Sequence, residues 1–96
     1  MNNESQIFWV YILENDAGKF YIGSSDDPDR RLDEHNDTTR GHVTYTHKNG
    51  PWRLVWREAH VTRSDAIARE RQIKRMKSAT WIRANLLNGR VPTRRD

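Results

Sequence analysis

Cysteine is absent from this chain. No disulfide can staple the fold, and no thiolate can act as nucleophile or soft-metal ligand. That fits a reducing compartment. A long apolar run is missing too: Ile7–Leu13 falls far short of the roughly 18 residues that span a bilayer. Met1–Gln6 is polar, carries Glu4 and has neither the basic start nor the apolar stretch of a secretion signal. The expectation is a cytoplasmic, monomeric protein with no membrane attachment. No repeat and no low-complexity segment interrupts it. What remains is 96 residues, the length of one domain, whose small core must lean on four Trp and on its Ile, Leu and Val residues.

Charge is present, and it is uneven. Residues 1–52 hold five basic and nine acidic side chains; residues 53–96 hold twelve basic and four acidic, a local excess of +8. Ten of those twelve are arginine, whose planar fork matches phosphate geometry. Such a half suits either a polyanion-binding surface or a solvated helix face.

The order of elements follows from local patterns. Residues 7–13 are aromatic and β-branched and predict a strand. Asn15-Asp16-Ala17-Gly18 signals a turn, and 19–24 a returning strand. Asp27-Pro28 reads as a cap followed by proline at the first helical position, opening a helix through Asn36. Residues 37–50 predict a loop. In 52–59, Trp52, Leu54 and Trp56 alternate with Arg53 and Arg57, as in a half-buried strand. Thr62-Arg63-Ser64-Asp65 has the capping-box form, and a helix should run to about Lys77. Ser78 opens another, stopped by Asn88-Gly89. A core of about 7–88 with a loose basic tail at 89–96 results. The order β-β-α-β-α-α predicts an α+β fold, a three-stranded antiparallel sheet flanked by helices.

Several residues stand out chemically. A three-residue loop ending in a left-handed Gly18 pairs Asn15 with Lys19, so Tyr11 faces Gly23 and Tyr21 faces Leu13. Both phenols then project from one face, with open space expected at Gly23. Taken alone, such a pair is what any strand face can carry, since strands favour tyrosine. Arg31 and His35 share a helix face at i,i+4: a phosphate holder and a proton carrier, or a solvated surface. Glu70 lies between Ile67 and Ile73 on a stripe with Ala66 and Met76, where a carboxylate needs a metal or a partner such as Lys74. Asn85, beside Trp81 and Ile82, reads as a satisfied core amide.

These residues in this order resemble the GIY-YIG nucleases. Trp9-Val10-Tyr11 and Tyr21-Ile22-Gly23 stand where the paired motif does; the second triad is intact, the first keeps only its tyrosine. Asp27–Asn36 resembles the family's arginine helix, and Arg63–Ala66 with Arg69–Lys74 the helix bearing its glutamate. Pro51–Val55 fits the small stand-alone bacterial members.

The resemblance implies a metal-dependent endonuclease acting on DNA, with single-stranded or branched repair intermediates as candidate substrates. One divalent ion, Mg²⁺ or Mn²⁺, would be held by Glu70. Tyr21 would position or deprotonate the attacking water, supported by Tyr11. Arg31 would stabilise charge on the scissile phosphate, and His35 would assist proton transfer or orient a tyrosine. Such chemistry needs an aligned nucleophile, a Lewis acid and charge neutralisation. Arg30, Arg69, Lys74, Lys77 and Arg83 are the expected nucleic-acid contacts. Larger family members add targeting domains, so targeting by a protein partner or substrate recognition by shape is a further expectation. The alternative is a nucleic-acid-binding module on the same fold with weak or lost catalysis.

Overall fold

A computed structural model of the protein describes residues 6–37 and 48–87. The expectations for most of the 37–50 loop, the Asn88-Gly89 stop and the basic tail fall outside them; Lys48 and Asn49, expected in that loop, are helical. The elements are β1 (Phe8–Asn15), β2 (Phe20–Ser25), α1 (Pro28–Asn36), β3 (Trp52–His60), α2 (Arg63–Met76) and α3 (Ala79–Ile82), the last running into a π-helical segment, Arg83–Leu87. The α+β fold and the order β-β-α-β-α-α are as expected. No helix among the described residues is long and apolar enough to cross a membrane.

Local chemistry sets the boundaries. Gly18 takes φ +82°, and the Asn15 amide donates to the Lys19 carbonyl at 3.0 Å. The register is the expected one, Tyr11 opposite Gly23 and Leu13 opposite Tyr21. Asn15 Oδ1 accepts from the amides of Ala17 and Lys19, which braces the turn. Asp27, Thr62 and Ser78 cap their helices, each side chain accepting from the amide three residues on.

The sheet order is β2-β1-β3, with β1 central and β2 at an edge. On one face Val10 and Ile12 pack with Ile73, Ile82 and Leu86 from α2 and the α3 segment. On the other, Tyr11, Leu13 and Trp52 pack with Leu32 of α1.

Three core expectations are corrected. Trp52, Leu54 and Trp56 do not share a face. A bulge shifts the pairing from Ile12–Trp56 to Leu13–Leu54, so Trp56 joins the α2 face while Trp52 and Leu54 join the α1 face. An extra residue inverts the alternation beyond it. Met76 ends α2 and is 41% exposed, beyond the reach of the sheet. Asn85 is exposed and satisfies itself locally, donating from Nδ2 to the Trp81 carbonyl one turn back at 3.0 Å.

Candidate active site

Because β2 is an edge strand, helices on opposite faces of the sheet can reach around it toward one another. Their side chains meet at Gly23–Ser24. A cleft of about 420 Å³ opens there, lined by Tyr11, Tyr21, Gly23 and Ser24 of the hairpin, Arg31 of α1, and Ile67, Glu70, Arg71 and Lys74 of α2. The α2 residues follow the spacing i, i+3, i+4, i+7, one stripe of a helix.

Gly23 is not open space, as the sequence suggested. A Cβ built there would lie 2.7 Å from the Tyr11 hydroxyl and 2.8 Å from its Cζ. The Tyr11 ring lies across the glycine, and only a residue without a side chain lets it do so. Tyr11 is thereby 1% exposed, yet lines the cleft.

Buried phenols need partners. Tyr11 Oη lies 3.2 Å from Nε2 of the buried His35. The Tyr21 ring packs on His35 with centroids 4.7 Å apart. His35 therefore sits beneath both tyrosines. It is held there by its neighbour: Asn36 donates from Nδ2 to the Trp52 carbonyl (3.0 Å) and accepts from the Trp52 amide at Oδ1 (2.7 Å). This clamp fastens the end of α1 to the start of β3.

Burial pushes the Tyr11 phenol up from its ordinary pKa, against the Arg31 guanidinium that draws it down. Hydrogen bonding with the same phenol raises Arg31 further. Arg31 thus stays charged and Tyr11 neutral at physiological pH. Arg31 also pairs with Glu34 at 2.6 Å.

Glu70 is mostly buried, its side chain 17% exposed. Its Oε1 accepts from the Ser24 hydroxyl and its Oε2 from the Lys74 ammonium, both at 2.7 Å. The i,i+4 partner that the helix spacing offered is in place. Among the described residues no three His, Asp or Glu side chains gather into a metal cage. The donors at hand are one carboxylate with a hydroxyl beside it, hard oxygen ligands of the kind Mg²⁺ or Mn²⁺ takes along with water and phosphate oxygens.

Tyr11, Tyr21, Arg31, His35 and Glu70 are therefore brought together. The basic residues divide. Lys74 lines the cleft. Lys77 lies one cavity along. Arg30 pairs with Asp26 and Glu34, on the outer side of α1. Arg69 points to β3, bonding Glu58 at 3.0 Å. Arg83 donates to the Gly18 carbonyl and covers the Phe20 ring. Sequence reasoning passed over Ser24, Asn36 and Arg71. The spacing of Arg71 on the Ile67–Glu70–Lys74 stripe was a legible signal, and the even-numbered parity of Ser24 with Ile22 was another. Asn36 left none, since its partner lies 16 residues away.

Known proteins resemble this chain over most of its length. The model of the GIY-YIG catalytic domain matches residues 7–84. A UPF0213 protein of Enterococcus faecalis is 35% identical over 75 residues, 78% of this chain and 83% of that one. A UPF0213 protein of Staphylococcus aureus is 37% identical over 67 residues, 69% and 78% of the two chains. Among solved structures, the solution NMR structure of the UPF0213 protein BH0048 from Bacillus halodurans is similar at 36% identity. That match covers 72% of this chain and 71% of that one, with a TM-score of 0.43.

Proposed function

Because this chain belongs to the GIY-YIG nuclease family, we propose that it is a metal-dependent endonuclease that hydrolyses phosphodiester bonds in DNA. The observation that carries this reading is the convergence of Tyr11, Tyr21, Arg31 and Glu70, from four separate elements, on one cleft. A surface patterned only for binding has no need to gather a mostly buried carboxylate, a buried and a half-buried phenol and a buried histidine together.

The residues divide the work by position. Among the described residues Glu70 is the one carboxylate lining the cleft, and it would hold a divalent cation through the carboxylate that Ser24 and Lys74 now engage. When bound, such an ion supplies Lewis-acid activation of the phosphate. Arg31, held charged beside Tyr11, faces the phosphate and neutralises the negative charge that develops on it. Tyr21, half-buried at the cleft wall, aligns the attacking water. Tyr11 stays a neutral phenol, poorly suited to act as the base; its hydroxyl shares a hydrogen bond with His35 Nε2 instead. His35 fixes the orientation of both rings.

The test is incubation with labelled single-stranded, duplex, flap and branched DNAs, with matching RNAs, in Mg²⁺, Mn²⁺ or chelator. Metal-dependent internal cuts in DNA support the reading. Binding without cuts under every condition overturns it in favour of a binding module.

A further inference from the structure

Lys74 also lines a second cavity, of about 330 Å³, between the hairpin turn and the junction of α2 with α3. Its floor is apolar, formed by Phe20, Ile22, Ile73 and Ile82, and its exposed rim carries Lys19, Lys74 and Lys77. Among the described residues no acidic side chain lines it. Lys77 is in an uncommon state. It ends α2 in the left-handed region, φ 49° and ψ 40°, which residues other than glycine and asparagine adopt at a cost. Lys77 lines the cavity and makes no ion pair among the described residues.

We propose that this cavity is a nucleoside subsite, taking one unstacked base of the strand beside the scissile phosphate while Lys74 and Lys77 hold the flanking phosphates. The inference rests on the nuclease reading of the adjoining cleft. Three features carry it. The apolar floor offers dispersion contact that every base can use whatever its sequence. Among the described residues the charged side chains of the rim are all cationic, complementary to a phosphate backbone. The volume is at the lower end for ligand sites, enough for one base and its sugar and too small for a stacked pair. Continuity through Lys74 sets the subsite next to the cleft. A base seated there has left its stack, so the substrate must offer an unpaired or flipped nucleotide next to the cut.

The test uses the full chain in chelator, where nothing is cut. Binding is measured to a single-stranded oligonucleotide and to the blunt duplex of the same sequence. Lys77→Gly removes the charge and relieves the left-handed strain, so the melting temperature should hold or rise. Ala79→Trp fills the cavity from its α3 wall. Both variants should bind the single strand about tenfold more weakly, a step of about 1.4 kcal/mol, and leave duplex affinity unchanged. An equal loss on both substrates makes Lys77 a general phosphate contact and overturns the subsite. So does unchanged affinity of Ala79→Trp for the single strand. A wild-type protein that shows this discrimination and yet cuts nothing with metal present sinks the nuclease reading alone. One that cuts while both variants bind every substrate like wild type sinks the subsite alone.

Discussion

The two faces of β1 are equally dry and do different things. Val10 and Ile12, both fully buried, lie in an apolar cluster with Trp56 of β3 and with Ala66, Ile73, Ile82 and Leu86 of α2 and the α3 segment. Tyr11, between them and just as buried, meets His35, Tyr21 and Arg31. The aliphatic face needs only volume and shape. On the aromatic face each polar atom must also find a partner. Substitutions there should change chemistry before stability, and those on the aliphatic face stability before chemistry.

That contrast can be broken or sharpened. The largest expected effect is at Glu70. Glu70→Gln keeps the shape and the acceptor for Ser24 but removes the charge a cation needs, so cleavage should vanish while the thermal melt is unchanged. Wild-type cutting under saturating Mg²⁺ would falsify the metal role. Arg31→Ala should lower the single-turnover rate on the order of 10²–10³-fold with little loss of affinity. A loss confined to affinity makes it a simple phosphate contact. Gly23→Ala, which adds one methyl and no charge, should cost roughly 10²-fold in rate by moving the Tyr11 ring. An unaltered rate means that the Tyr11 position is not critical. On the aliphatic face, Ile12→Ala, which touches neither cavity, should destabilise by about 2–5 kcal/mol, read by urea unfolding, yet cut normally below its transition. Equal stability loss from Arg31→Ala and Ile12→Ala would erase the distinction.

The smallest effect is alkaline. The Tyr11 pKa is raised in the folded state, from about 10 in the unfolded chain. Below that value both states keep the proton and Tyr11 adds no pH dependence. As pH climbs past it the unfolded state ionises first, and stability falls until the folded pKa is reached. The urea midpoint of wild type should therefore drop more than that of Tyr11→Phe between about pH 9 and pH 11. Parallel curves refute the burial effect.

Parts of the site were legible because their causes are short-range. Tyr11 and Tyr21 follow from a turn of three residues, and Glu70 stands out against its own helix stripe. The arginines were harder. Arg31, Arg69 and Arg83 look alike in the chain, yet Arg31 meets Tyr11, Arg69 meets Glu58 across 11 residues, and Arg83 meets Gly18 across 65. Which of them is left for a phosphate depends on where the carboxylates and carbonyls of other elements fall.

By itself the sequence determined the hairpin register, the three helix caps at Asp27, Thr62 and Ser78, and the order of elements. Each depends on atoms within about four residues, and local hydrogen bonds decide them. The tertiary structure decided the rest. The bulge that divides Trp56 from Trp52 exists only against β1. The Tyr11 ring crosses Gly23 only because the strands pair in that register. The cleft forms where α1 and α2, on opposite faces, meet around the free edge of β2. Packing is a property of the whole chain, and no window along it contains that meeting.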